Sequence, residues 1–100
     1  DFCREAWLMS VVKHPFVVNL MRTCAEPRAL MMELLHCDLL HLLEEGPIPL
    51  PIRLRILGQV ATAMRHLHGL SPAVLHLDLK SANVLIRRGE KPEQVVAKVA

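Results

Sequence analysis

Aromatic side chains are nearly missing from this sequence, with two Phe, one Trp and no Tyr in 100 residues. Stacking successive bases needs several such rings, so nucleic-acid binding is not expected. Cysteine is scarce as well. Cys3, Cys24 and Cys37 are odd in number and form no CxxC pair, which argues against a secreted disulfide scaffold and for reduced thiols in a cytoplasmic protein. Charge of one sign is not in excess. Lys plus Arg number 12 against 10 Asp plus Glu, a net charge of +2, so neither nucleic acid nor an anionic membrane is indicated as a partner. No apolar run approaches the roughly 20 residues of a membrane span, and the start carries no signal-peptide pattern. The chain is therefore expected to be soluble, without membrane insertion.

What is present is 52% apolar residues, enough for one small domain or part of a larger one. The sequence opens on DFCREAW, without Met and already in helical pattern, and stops on the apolar run VVAKVA. It reads as a piece of a longer protein.

Apolar positions Phe2, Ala6, Met9 and Val12 recur at helical spacing, predicting a helix over residues 2–12 that Pro15 ends. FVVNLM (16–21) and ALMMELL (29–35) follow, separated by RTCAEPR, and predict the two strands of a hairpin. Asp38 suits the N-cap of a short helix reaching about Glu45, with Gly46 and Pro47 as its stop. A long stripe through Ile52, Ile56, Val60, Ala63, Leu67 and Leu70 predicts a helix of about five turns, opened by Pro51 and closing near Gly69, with Arg53, Arg55, Gln59 and Arg65 off the stripe. AVLHL, NVLI and QVVAKVA predict three short strands, the last two joined by the turn RRGEKPE. The layout is α+β without βαβ alternation, which argues against a doubly wound dinucleotide fold.

The chemistry concentrates in VLHLDLKSANVLI, residues 74–86. Between two short strands, Asp78 can accept a hydroxyl proton, Lys80 can neutralise charge on a transferring phosphoryl group, and Asn83 can offer a hard oxygen to Mg²⁺. The alternative is structural: Asp78 and Asn83 as turn residues bonded to nearby backbone, Lys80 solvated, and His76 a satisfied core histidine. The residue pattern alone leaves both open. His66 and His68 lie two apart, off a common helical face, so no metal site is expected there.

HLDLKSAN resembles the catalytic loop of eukaryotic protein kinases, HRDLKxxN, at every written position but the second. FCREAWLM is similar to the kinase helix C, HPFVVNL to its exit into strand 4, ALMMELL to strand 5 and the hinge, and AMRHLHGL to helix E. AKVA would lie just before the Asp-Phe-Gly segment. DLKSANVL is most similar to the tyrosine-kinase-like group, and the hinge and final turn resemble Roco-type and receptor-interacting Ser/Thr kinases. The resemblance implies a partial kinase fold: N-lobe part and hinge over residues 1–35, then helices D and E and the catalytic loop of the C-lobe over 36–100.

It further implies the catalytic residues Asp78, Lys80, Asn83 and Glu5, with Asn83 also a Mg²⁺ ligand and Glu5 the partner of a strand Lys. ATP would meet Met32 as gatekeeper, backbone groups from Glu33 to Leu35, Asp38 at the front lip beside Cys37, and Leu85 under the adenine. For Asp38 a plain helix cap is the alternative. Met9, Leu20 and His76 fall at regulatory-spine positions. The implied activity is transfer of the γ-phosphoryl group of Mg-ATP to Ser/Thr hydroxyls of a protein substrate, in signalling. The rival is a pseudokinase or signalling scaffold.

Leu77 departs from the pattern, because the family usually has an Arg there that binds a phosphorylated activation loop. The Gly-rich loop, the strand Lys and Asp-Phe-Gly are not among these residues. The segment alone is therefore not expected to catalyse, and it would expose faces meant for neighbours outside it.

Overall fold

A computed structural model describes residues 12–18, 20–25, 28–32, 35–70 and 79–100, with 20–25 and 28–32 described as backbone. The expected helix over 2–12 lies outside the described residues apart from Val12, which is buried. The expected strand AVLHL lies outside them too.

The predicted hairpin exists with its first strand displaced. Strand β1 (Leu20–Ala25) pairs antiparallel with β2 (Arg28–Met32), from Leu20 opposite Met32 to Ala25 opposite Arg28, with a register shift between Leu20 and Arg22. Most of the polar stretch expected to connect the strands is thus strand itself. The reason lies in Pro27: it cannot donate to a ladder, and it falls between the paired ends Ala25 and Arg28. Thr23 and Cys24 are left free to pair.

The run 16–18 belongs to a different sheet. Strand β3 (Cys37–Asp38), β4 (Val84–Arg87) and β5 (Val96–Val99) form an antiparallel sheet in that order. Val17 then bridges Val99 in parallel: Val99 N donates to Phe16 O at 2.8 Å and Val18 N donates to Val99 O at 2.9 Å. β5 is therefore covered on both edges, which explains why Ala97, Lys98 and Val99 are all buried.

Helix α1 (Leu39–Glu44) starts on Asp38, whose Oδ1 accepts from His41 N at 2.8 Å. Gly46 follows at φ 137°, a conformation side chains resist, and α1 stops there. Helix α2 (Leu50–His68) carries Pro51 in its first turn, where the missing N–H costs nothing. Arg65, His66 and His68 occupy its last turn, where positive charge complements the helix dipole. Its buried positions Ile56, Gln59, Ala63 and Leu67 follow the predicted stripe with one correction. Gln59, expected off the stripe, is buried on it and bonded to β5.

The core gathers Ile56, Val84, Ile86, Val95 and Ala97, with Leu42, Ile52 and Val60 packed against them. Each large aliphatic group buried this way contributes about 1.5–3 kcal/mol relative to exposure. Strand alternation puts Val84 and Ile86 into this core and Leu85 on the opposite face, half-buried. Leu54 and Leu57 of α2 remain 59% and 62% exposed. Among the described residues no helix is long and apolar enough to cross a membrane.

Candidate functional site

Lys80, Asn83 and Leu85 lie on one short path into β4. Residues Ser81–Asn83 form a single 3₁₀ turn closed by Asn83 N donating to Lys80 O at 2.9 Å, and β4 begins at Val84. The Asn83 carbonyl accepts from Ala100 N at 2.9 Å, so the end of the chain's last strand is tied to this turn. Both backbone groups of Asn83 are thereby committed, and its Cα is fixed by the sheet. Lys80 is exposed and Asn83 is half-buried.

Leu85 then faces Asp38 directly across the β3–β4 ladder, one pair along from Cys37 and Ile86. Two residues 47 apart in sequence, both expected at a nucleotide, are thus neighbours. The Asp38 carboxylate holds the cap: Oδ1 accepts from His41 N at 2.8 Å and lies 3.0 Å from His41 Nδ1. The backbone bond from His41, followed by the bond to its ring, holds the Asp38 carboxyl below its ordinary range, and Asp38 in turn pushes the His41 imidazole up. The capping alternative foreseen for Asp38 is present in the structure.

Leu35 is half-buried, and Met32 ends β2 opposite Leu20. Asp78, Glu5 and Glu33 lie outside the described residues, as do Met9, His76 and Leu77. Among the described residues no group of three or more His, Cys, Asp or Glu could hold a metal ion. A cavity of about 390 Å³ opens between the α1–α2 connection and the β4–β5 turn, against Leu42, Ile52, Ile86 and Pro92. None of the expected site residues lines it.

Three arrangements escaped the sequence. Gln59 Oε1 accepts from Ala97 N at 2.7 Å while Nε2 donates to Val95 O at 3.3 Å, an oxygen that also accepts from Arg55 Nε at 2.7 Å. The helical spacing of Gln59 from Ile56 and Ala63 was the signal available. His14 stacks on His66 with ring centroids 4.7 Å apart, and its Nδ1 accepts from Phe16 N at 3.1 Å. Burial, then the nearby His66, lowers the His14 pKa. Arg88 forks onto Glu45 at 2.8 and 3.0 Å; no local pattern links residues so far apart.

The sequence profile of the protein kinase domain matches residues 1–99. The chain is 33% identical over 102 residues to the probable serine/threonine-protein kinase pats1 of Dictyostelium discoideum, covering 99% of this chain and 3% of that protein. It is 36% identical over 89 residues to the probable serine/threonine-protein kinase roco5 of the same organism, covering 86% of this chain and 3% of that one. Mouse receptor-interacting serine/threonine-protein kinase 4 is 38% identical over 87 residues, with 86% of this chain and 11% of that protein covered. The chain thus spans from 3% to 11% of the length of these three relatives. Both groups expected from the hinge and the final turn, Roco-type and receptor-interacting kinases, are represented among them. With a turn-then-strand arrangement holding Lys80, Asn83 and Leu85 in order, and a match running the length of the sequence, this chain belongs to the protein kinase domain family.

Proposed function

We propose that this chain is the segment from helix C to strand 8 of a Ser/Thr protein kinase domain, acting within its full-length protein in cytoplasmic signalling. Residues 1–35 would belong to the N-lobe and hinge and 36–100 to the C-lobe. The observation that carries this reading is the Lys80–Asn83 turn opening β4 and bonded to Ala100, in a chain matched over residues 1–99 by the protein kinase domain.

Mg-ATP supplies the γ-phosphoryl group, and a Ser or Thr hydroxyl of a protein substrate receives it. Asp78 orients that hydroxyl and accepts its proton. Lys80, a compact cation, offsets negative charge at the transferring group. Glu5 orders the strand Lys. Asn83 offers an amide oxygen, a hard ligand suited to Mg²⁺. Mg²⁺ is commonly held by few protein ligands together with phosphate oxygens, which fits a single Asn at a turn fixed by its backbone bonds.

Toward the nucleotide base, Leu85 presents an apolar surface on the face of β4 away from the core. Asp38, fixed by its cap bond, stands beside it for the ribose. Met32, Glu33 and Leu35 complete the adenine side. Titrating Mg²⁺ against phosphotransfer in the full-length protein tests the Asn83 role. Asn83→Ala should shift half-maximal activity to higher Mg²⁺ and lower turnover; an unchanged Mg²⁺ curve contradicts it.

A further inference from the structure

Arg88 is the first residue after β4, and it reaches three partners on both sides of a neighbouring unit. Its backbone N–H donates to His36 Nδ1 at 2.7 Å, Nη2 donates to both Glu45 carboxylate oxygens at 2.8 and 3.0 Å, and Nη2 lies 3.7 Å from Cys37 Sγ. His36 precedes β3 and Cys37 opens it, whereas Glu45 closes α1. Backbone and side chain of one residue therefore grip the β3–α1 unit at its beginning and at its end.

Beyond that grip the unit is held by Cys37, Leu39 and Leu42, half-buried against the core, and by a short stretch of sheet. β3 contributes two residue pairs to the sheet, supplemented by His36 N donating to Ile86 O at 2.9 Å. α1 has six residues and buries none of them fully, well short of the length at which a helix sustains itself. The placement of Asp38 opposite Leu85 thus rests on this packing and on a few bonds, of which Arg88 supplies several.

We propose that Arg88, acting with Glu45, is a positioning residue for nucleotide binding. It clamps β3 and α1 onto β4, and so keeps Asp38 and Leu85 in the register in which they meet the nucleotide. This rests on the nucleotide-binding role assigned above to those two residues. Lys80 and Asn83 sit at the other end of β4, where Asn83 N donates to Lys80 O and the Asn83 carbonyl accepts from Ala100 N, so the clamp acts chiefly on binding. Arg88 and Glu45 are 47% and 56% exposed, which lets either be replaced without a core defect.

The test is steady-state kinetics on the full-length protein carrying Arg88→Ala, Glu45→Gln, or the exchange Arg88→Glu with Glu45→Arg. Each single change should raise KM for ATP about three- to ten-fold while kcat stays within about two-fold, and the exchange should recover most of the affinity. Unchanged KM in both single variants overturns the proposal. So does a joint loss of kcat, KM and thermal stability that the exchange does not repair, since that is the mark of a merely structural pair. If the wild-type protein binds Mg-ATP without transferring phosphate, the kinase assignment fails, and the clamp is then read from Mg-ATP dissociation constants with the same expected ratios. A wild-type protein that binds no Mg-ATP overturns both.

Discussion

Gln59 of α2 supplies the hydrogen-bond partner that Ala97 of β5 lacks in its own sheet. The N–H groups of Ala97 and Val99 point to the same edge of the strand. Val99 finds Phe16 O at 2.8 Å, and two residues earlier Ala97 finds Gln59 Oε1 at 2.7 Å. Side chain and neighbouring segment together complete the edge of the strand that ends beside the Lys80–Asn83 turn.

Replacing Gln59 by Leu keeps the volume and leaves the Ala97 N–H buried without an acceptor. An unmet buried donor costs about 1–3 kcal/mol, so Gln59→Leu should lower stability by that amount. Urea denaturation of the full-length protein, followed by a probe in this region, reads the change. Stability equal to wild type would show that β5 does not depend on the helix side chain.

Ile86 is fully buried between α2 and β5. Ile86→Ala should cost about 2–5 kcal/mol and Ile86→Val about 0.5–1.5 kcal/mol, because the larger truncation leaves a cavity that the sheet cannot close. Denaturant midpoints of the two variants give the ratio. Equal effects would place Ile86 outside the core.

Two histidines should give opposite pH dependences. The His14 pKa is lowered from 6.5, so its contribution to stability is complete above 6.5 and is lost as pH falls through the lower folded value. Its Nδ1 must also be unprotonated to accept from Phe16 N. The His41 pKa is raised from 6.5 by Asp38, so its contribution is complete below 6.5 and is lost as pH rises through the higher folded value. The stability difference between wild type and His14→Gln should therefore shrink on acidification, and that between wild type and His41→Gln should shrink on raising the pH. Denaturation of the three proteins across about pH 5 to 8 separates the two effects; parallel curves contradict the assignment.

Leu77 stands where the family usually has an Arg for the phosphorylated activation loop. Leu has no donor for a phosphate. With no donor at this position, phosphatase treatment of the full-length protein should leave its activity within about two-fold. Activity that vanishes on dephosphorylation and returns with an acidic substitution in the loop would contradict this.

Much of the fold could be read from local pattern. The apolar spacing from Ile52 to Leu67, Pro51 at the start and Gly69 at the close located α2, and Asp38 with Gly46 bounded α1. The β-rich run NVLI located β4. Local pattern could not say that 16–18 would leave the hairpin for β5, because both sheets offer an apolar run the same backbone partners. Nor could it show Gln59 buried or Arg88 on Glu45, since those bonds join residues 38 and 43 apart. Of the site, the Lys80–Asn83 turn and the Asp38–Leu85 pair are found in the structure, whereas Asp78, Glu5 and Glu33 lie outside the described residues.

Phosphoryl transfer by the Asp78→Asn full-length protein decides whether VLHLDLKSANVLI is a catalytic loop. Loss of the positioned base should reduce transfer from γ-labelled ATP by about 10²-fold or more, with Mg-ATP affinity close to that of wild type. Turnover at the wild-type rate in that variant would contradict the assignment of this segment to a working kinase.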